Sequence, residues 1–242
     1  MAAIEKVKIL VLGDSGVGKS SLTHLIAHSE PISNPSWTIG CSVDVKLHEY
    51  REGTQYQKTY FIELWDIGGS SNHRNTRSVF YNSVHGLILV HDLTNRKSQQ
   101  NLRYWLHEVI NTEGGKNKQI YDEFDSEQFA GSTLKMYYIN CNLQFPMLVI
   151  GTKLDMTGEN RLHEKPVLDV AQEWGADKIY LNSRDSRSLA PGSSSSVKLS
   201  RFFDKVIEMR YNTKELLNPY GSDKRRTFPA ASSMSPKLYH ND

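Results

Sequence analysis

The chain has 242 residues, enough for one sizeable domain with appendages, and its 38% hydrophobic and 23% charged residues are typical of a soluble globular protein. A formal net charge of +2 argues against a broad nucleic-acid surface. No apolar run reaches the roughly 18 residues of a membrane span. The N-terminus does not read as a signal peptide, and Cys41 and Cys141 have no metal-ligand spacing. We therefore expect a cytoplasmic protein with reduced thiols.

Apolar runs alternate with helical segments along the chain, which predicts an open α/β sheet with helices on its faces. The predicted strands cover residues 7–12, 42–50, 58–67, 86–93, 147–152 and 179–181. The predicted helices cover residues 19–29, 98–110, 167–174 and 195–210. In the last helix we expect Val197, Phe202, Val206 and Met209 to face the core.

Two segments depart from this alternation. Residues 111–146 form a long polar insertion where a short connection would suffice, and such insertions are usually disordered or functional. Residues 212–242 carry Pro, Ser and Gly with few large apolar side chains, which predicts a flexible tail. We therefore assign residues 1–211 to one domain that includes the insertion.

The stretch "GDSGVGKS", from Gly13 to Ser20, follows the first predicted strand and begins the first predicted helix. It matches the pattern G-x-x-x-x-G-K-[ST], in which glycines let backbone N–H groups surround phosphates. The helix N-terminus adds partial positive charge, Lys19 reaches the β- and γ-phosphates, and the hydroxyl of Ser20 binds Mg²⁺. The motif therefore predicts a nucleotide site with Mg²⁺.

The identity of the nucleotide base is predicted by the segment Thr152-Lys153-Leu154-Asp155, which follows a β-branched strand. The carboxylate of Asp155 can accept hydrogen bonds from N1–H and the 2-amino group of guanine, whereas adenine offers a lone pair at N1 and no 2-amino group. The stem of Lys153 can lie along the base plane. GTP and GDP are therefore the expected ligands, with a P-loop kinase that uses ATP as an alternative.

With GDSGVGKSSL, WTIG, ELWDIGG and GTKLD in this order, the chain resembles the Ras-like small GTPases of the Rab branch over about residues 5–210. The resemblance implies a P-loop NTPase fold with a six-stranded, mostly parallel sheet flanked by helices. It also implies a Mg²⁺-dependent molecular switch that cycles between GTP and GDP states, with effectors and regulators at the switch surface.

Several roles are implied by this resemblance. Thr38, in a first switch loop of residues 31–40, would bind Mg²⁺ and sense the γ-phosphate. Asp66 would hold the metal through water, and Gly69 would donate its N–H to the γ-phosphate. The implied nucleotide contacts are Gly16, Val17, Gly18, Lys19, Ser20, Ser21, Lys153, Leu154, Asp155, Asn182 and Ser183. The implied Mg²⁺ ligands are Ser20, Thr38 and Asp66, and the implied catalytic positions are Lys19, Thr38, Gly69 and Ser70.

Ser70 is a departure from the family pattern. Ras-like enzymes place a glutamine there to orient the attacking water. A serine side chain is shorter and carries one hydroxyl instead of an amide, so it cannot both contact the γ-phosphate and hold the water in line. We therefore expect slow hydrolysis with nucleotide binding preserved, unless Asn72 or His73 takes over the role.

Two function classes follow from these features. The first is a slowly hydrolysing GTPase switch in signalling or trafficking regulation. The second is a predominantly GTP-bound scaffold that assists Ras-type signalling or the handling of prenylated GTPases. No cysteine follows Cys141, so we expect no prenyl anchor and at most transient membrane association through partners. Homodimerisation is left open.

Two further groups of side chains have alternative readings. Trp65, with Val45 and Phe80 or Tyr81, matches the aromatic patch that Rab proteins present to effectors, but it fits a core-edge aromatic equally well. His24 and His28 stand at i and i+4 on the first helix, which is a spacing for metal ligands. No third ligand is evident, which favours an exposed helix face.

Overall fold

A six-stranded sheet forms the centre of this computed structural model, which describes residues 5–113, 145–157 and 170–217. The strands are β1 (Glu5–Leu12), β2 (Cys41–Tyr50), β3 (Lys58–Ile67), β4 (Gly86–Asp92), β5 (Met147–Thr152) and β6 (Asp177–Tyr180). Their order across the sheet is β2-β3-β1-β4-β5-β6, and every neighbouring pair is parallel except β2 and β3. The predicted α/β class with a mostly parallel six-stranded sheet is confirmed.

Helices flank this sheet. Within the described ranges, the α-helices are α1 (Lys19–His28), α2 (Arg74–Arg77), α3 (Arg96–Gln100), α4 (Leu102–Glu113), α5 (Val170–Glu173) and α6 (Ser194–Leu217). The helix predicted over residues 98–110 is two helices, α3 and α4, which meet at Asn101. None of the described helices combines the length and the apolar character needed to cross a membrane.

The core lies on both faces of the sheet, because consecutive strand residues point to opposite faces and helices cover each of them. On one face, α1 and α6 pack against the strands through Ile9, Val11, Leu22, Ile26, Phe202 and Val206. On the other face, α4 packs against them through Leu10, Leu12, Leu87, Leu89, Leu106 and Val109. The central strand β4 is buried along its whole length, as its unbroken apolar run predicts.

The apolar stripe of α6 differs from the predicted one at its beginning. Val197 is 42% exposed, whereas Leu199 and Phe203 are buried. At about 100° per residue, Val197 lies roughly 160° around the helix from Leu199 and therefore faces away from the sheet. Phe202 and Val206 are buried as predicted, and Met209 is half-buried.

Some sequence predictions fall on parts of the chain that the structure does not describe. Residues 114–144 of the predicted insertion and residues 218–242 of the predicted tail lie outside the described ranges, as does Cys141. Cys41 forms no disulfide with any residue of the described ranges. The domain boundaries therefore stay a prediction.

The topology brings several loops to one edge of the sheet. The loops that follow β1, β3, β5 and β6 all leave from the carboxyl ends of their strands, and the parallel arrangement places these ends at the same edge. In open α/β sheets this edge is where ligands bind. The predicted phosphate, metal and base residues lie in these loops, at the adjoining ends of β3 and α1, or in the loop before β2.

Candidate nucleotide-binding site

The phosphate loop, residues 13–20, turns sharply between β1 and α1. Gly13 has φ 152°, and a Cβ atom there would lie 2.1 Å from the backbone oxygen of Val90, so a side chain has no room. Gly18 precedes α1 and supplies no side-chain cap to it. The first amides of α1 are therefore left for an anion, which the helix dipole also favours.

Lys19 is buried at the start of α1, with 6% of its surface exposed. Its Nζ donates to the backbone oxygens of Gly13 at 2.8 Å and Asp14 at 2.9 Å. Burial lowers the pKa of Lys19 to about 8, although the negative charges of Asp66 and Asp14 oppose this shift. The ammonium is thus held beside the phosphate loop, with little water around it.

Three of the predicted metal ligands meet beside Lys19. The hydroxyls of Ser20 and Thr38 donate to Oδ2 of Asp66 at 2.6 and 2.8 Å, and the two hydroxyl oxygens are 2.8 Å apart. Oδ1 of Asp66 is buried without a hydrogen-bond partner among the described residues. Burial raises the pKa of the Asp66 carboxyl above its usual value, against hydrogen bonds from Ser20 and Thr38 and the charge of Lys19. Two hydroxyls and one carboxylate with a spare oxygen fit Mg²⁺, which prefers hard oxygen ligands.

The segment after β3 packs directly on the phosphate loop. A Cβ atom on Gly69 would lie 2.5 Å from the backbone nitrogen of Ser15 and 2.7 Å from the oxygen of Gly13. The N–H of Gly68 donates to the oxygen of Gly40 at 2.9 Å, which joins this segment to the end of the first switch loop. Ser70 follows at the rim of the cleft.

The base side of the cleft is built by the loops after β5 and β6. Lys153 has a left-handed backbone with φ 58°, and its Nζ donates to Asp92 Oδ2 at 2.6 Å. The N–H of Leu154 donates to the oxygen of Leu181 at 3.3 Å and so joins the two loops. Asp155 is exposed, and Ser183 is 7% exposed with an Oγ that has no partner in the described part of the chain.

These segments enclose a cleft of about 670 Å³. Most of the predicted site residues line it: Gly16, Gly18, Lys19, Ser20, Ser21, Thr38, Gly69, Ser70, Lys153, Asp155, Asn182 and Ser183. Val17 and Leu154 do not, because Val17 packs into the core and Leu154 joins the two base loops. Asp66 lines an adjoining cavity together with Thr38.

Some cleft residues have no counterpart in the predicted site. Ile32, Pro35 and Trp37 of the first switch loop line the cleft, as does Met156 beyond Asp155. Trp37 is nevertheless 87% exposed. Apolar residues in this polar loop can be seen in the sequence. Whether each side chain points into the cleft or away from it depends on the loop conformation, which the sequence does not give.

A network of hydrogen bonds behind the phosphate loop could not be predicted from the sequence either. Asp14 accepts hydrogen bonds from Asn101 Nδ2 at 2.7 Å and Trp105 Nε1 at 2.9 Å. The guanidinium of Arg77, on α2, lies 4.2 Å from the centre of a Trp105 ring and donates to both carboxylate oxygens of Glu108 at 3.0 and 2.8 Å. The helix that follows Ser70 is therefore connected through α4 to the phosphate loop.

The aromatic patch near the switch segments contains Phe80 rather than Tyr81. Trp65 and Phe80 have ring centroids 6.5 Å apart, and Val45 is 47% exposed on β2. Tyr81 is fully buried, and its hydroxyl donates to Glu108 at 2.8 Å. Of the two aromatic alternatives, only Phe80 is accessible at this surface.

Comparison with known proteins agrees with this geometry. A family model described as "Ras of Complex, Roc, domain of DAPkinase" matches residues 8–122. Rab-like protein 3 of Mus musculus is 50% identical over 236 residues, which cover 94% of this chain and 95% of the mouse protein. Rab-like protein 3 of Homo sapiens is 49% identical over 243 residues, which cover 97% of this chain and 98% of the human protein.

A plant relative extends the comparison. Small GTPase-like protein LIP2 of Arabidopsis thaliana is 31% identical over 238 residues, which cover 88% of this chain and 67% of the plant protein. The predicted resemblance is confirmed, and this chain belongs to the Ras-like small GTPases of Rab-like type, a family that binds GTP and GDP and hydrolyses GTP.

Proposed function

We propose that this protein is a Mg²⁺-dependent guanine-nucleotide switch that binds GTP and GDP and hydrolyses GTP slowly. The observation that carries the proposal is the convergence of Ser20, Thr38 and Asp66 within hydrogen-bond distance beside the buried ammonium of Lys19. The elements that supply them, α1, the first switch loop and β3, come together at the carboxyl edge of the sheet. The switch acts in signalling or trafficking regulation.

The phosphates are held by the loop at residues 13–20. Lys19 exchanges its two backbone carbonyl partners for the β- and γ-phosphates, which are stronger, charged acceptors. Ser20 and Thr38, with Asp66 acting through water, would hold Mg²⁺, which would supply positive charge to neutralise the phosphates. Thr38 and the N–H of Gly69 belong to different switch segments, so contact with a γ-phosphate orders both of them.

The base is held by the loops after β5 and β6. Asp155 accepts from guanine, and the stem of Lys153 lies along the ring while its ammonium stays paired with Asp92. Asn182 and the buried Ser183 complete the pocket, and the hydroxyl of Ser183, which has no hydrogen-bond partner among the described residues, supports a polar contact with the ligand. An adenine base would place a lone pair against the Asp155 carboxylate.

We expect slow hydrolysis because of the residues at and near the rim of the cleft. Ser70 lines the cleft but has no amide with which to orient a water molecule. Asn72 and His73, the alternative water-positioning residues, are exposed in a short 3₁₀-helix, Ser71–His73, and do not line the cleft. Because catalysis in this family is mostly positioning, losing the positioning group slows the reaction and leaves binding intact.

A second function is a predominantly GTP-bound scaffold with negligible hydrolysis. The observation that favours it is the exposure of large apolar side chains around the switch segments: Trp37 is 87% exposed, Ile39 is 83% and Val79 is 64%. Such a surface suits effector and regulator proteins, including those that assist Ras-type signalling or handle prenylated GTPases. In this proposal the protein acts in the cytoplasm, reaches membranes transiently through partners, and is free to form homodimers.

Nucleotide content and single-turnover hydrolysis test these proposals together. We expect the purified protein to contain guanine nucleotide, mostly GDP for a cycling switch and mostly GTP for a scaffold. Ser70→Gln should raise the single-turnover rate about tenfold or more by restoring the water-positioning amide. Ser70→Ala, the matched control, should hydrolyse GTP at the wild-type rate. A Ser70→Gln rate equal to wild type would show that serine is not the limiting feature.

A further inference from the structure

Three metal-ligating side chains lie outside the nucleotide cleft, where α1 packs beside β2. His24 and His28 stand one turn apart on α1, and Asp44 belongs to β2. Their candidate ligand atoms all lie within 4.8 Å of one another. The sequence showed no third ligand for this histidine pair, and the fold supplies one from a different element.

The spacing of these atoms is close to that of a coordinated metal. Nε2 of His28 is 3.5 Å from Oδ1 of Asp44, and the ring centroids of His24 and His28 are 4.4 Å apart. Two ligands of one tetrahedral ion, each about 2.0–2.1 Å from the metal, lie roughly 3.4 Å apart. The His28–Asp44 pair already has this spacing. The other ligand atoms must move closer together by about 1.4 Å at most. Rotation of a histidine side chain is enough for a shift of this size.

The site is open to solvent on one side and supported on the other. The side chain of His28 is 47% exposed and that of Asp44 is 25% exposed, so a cation can enter without unfolding the chain. His24 is half-buried, and with Asp44 it lines the cavity that adjoins the nucleotide cleft, whose lining also includes Ser20, Thr38 and Asp66. Water can complete the coordination of an ion that has three protein ligands.

The donor set selects a different metal from the one proposed for the nucleotide site. Imidazole nitrogens suit Zn²⁺, Co²⁺ and Ni²⁺, whereas Mg²⁺ prefers oxygen ligands such as those of Ser20, Thr38 and Asp66. Histidines at i and i+4 on one helix face are a recurring arrangement in zinc sites. The carboxylate of Asp44 adds negative charge that partly neutralises the cation.

We propose that His24, His28 and Asp44 bind a transition-metal cation of the Zn²⁺ type, which joins α1 to β2. Helix α1 begins at Lys19, in the phosphate site, and β2 follows directly after the first switch loop, residues 31–40. A metal at this position connects the helix that carries the phosphate contacts with the strand that ends the switch loop. It therefore stabilises the junction on which the position of Thr38 depends.

Calorimetric titration of the tag-free full chain with Zn²⁺, in excess Mg²⁺ to fill the oxygen site, tests this proposal. We expect one Zn²⁺ per chain whose Kd rises at least tenfold in each of His24→Gln, His28→Gln and Asp44→Asn. His107→Gln, the matched substitution on α4, should leave the Kd unchanged. With Co²⁺ as the probe, visible absorption bands of a nitrogen- and oxygen-ligated ion should appear in the wild type and be lost in the same three variants.

Folding of each variant is checked by its far-UV circular dichroism and its unfolding temperature without Zn²⁺. Zn²⁺ should raise the unfolding temperature of the wild type and of His107→Gln, since it binds the folded chain, but not that of the three site variants. Equal Zn²⁺ binding by the wild type and all three variants would overturn the proposal. Absence of binding up to about 1 mM Zn²⁺ would also overturn the proposal, and the three side chains would then form only a contact between histidines and a carboxylate.

Discussion

The phosphate region and the switch region of the cleft are built in different ways. In the phosphate region, Lys19 and Asp66 are 6% and 1% exposed and are held by strand ends and by the start of α1. In the switch region, Trp37 and Ile39 are 87% and 83% exposed. The side chains of the first region are packed into the fold, whereas those of the second have few buried contacts of their own. We therefore expect nucleotide binding to persist although a serine, Ser70, stands at the place where a water-positioning glutamine is expected.

Lys19→Met gives the largest expected effect, because it removes the buried cation of the phosphate region. The substitution leaves Asp66 and the bound phosphates without their buried positive partner. We expect GTP affinity to fall about 1,000-fold, the equivalent of about 4 kcal/mol. Fluorescent-nucleotide titration measures this. Lys6→Met, which removes a lysine whose side chain is 66% exposed in a surface ion pair, is the control and should leave affinity unchanged.

A loss of less than about tenfold in Lys19→Met would contradict the proposed role of the phosphate region. Binding would then depend mainly on the base loops. The difference in burial between the two regions would then have no bearing on the expected nucleotide affinity.

Asp155→Asn tests the base loops, with a smaller expected effect. The substitution removes a charged acceptor of two guanine hydrogen bonds, which should lower GTP affinity about 50-fold. Xanthine carries an oxygen where guanine has its 2-amino group, so affinity for xanthosine triphosphate should rise. Competition titration with both nucleotides measures the change. Asp177→Asn, on β6 and paired with Lys205, should keep the wild-type preference. Equal GTP and ATP affinities in the wild type would disprove the guanine assignment.

The features that sequence predicted well are local. The phosphate loop is a contiguous pattern between a strand and a helix, so its spacing alone indicated the turn, the lysine and the hydroxyl. The buried strands β4 and β5 were predicted from apolar runs, and the short strand β6 was predicted with only its ends misplaced. Thr38, Asp66 and Gly69 were assigned by resemblance, since no local pattern relates them to Ser20.

The features that sequence missed depend on contacts between distant residues. Asp14 and Trp105 are 91 positions apart, and no spacing rule joins them. Asp44 alternates with apolar residues on β2 as any exposed acid would, and only the packing of α1 reveals it beside His28. Val197 was misassigned because a helix pattern leaves the edge of the buried stripe uncertain until the neighbouring strands are placed.

The smallest expected effect concerns α4, the helix against which α2 of the switch region packs. His107 lies on α4 next to Glu108, which binds Arg77 of α2. Burial lowers the pKa of His107, and the charge of Arg74 lowers it further, while Glu108 opposes the shift. The unfolded chain therefore binds this proton more tightly than the folded chain. Stability should fall as the pH drops below about 6.5, the ordinary histidine pKa, and the loss should end below the folded-state value.

His107→Gln removes this titration and should reduce the loss of stability between neutral and mildly acidic pH. Urea unfolding of the wild type and the variant at both pH values gives the difference in the free energy of unfolding. His73→Gln, an exposed histidine of the switch segment, should keep the wild-type pH dependence. Equal losses of stability in His107→Gln and wild type on acidification would show that burial and Arg74 do not lower the pKa of His107 in the folded chain. Its surroundings beside α2 would then be as open to water as the exposed switch segment, which would extend the contrast with the phosphate region.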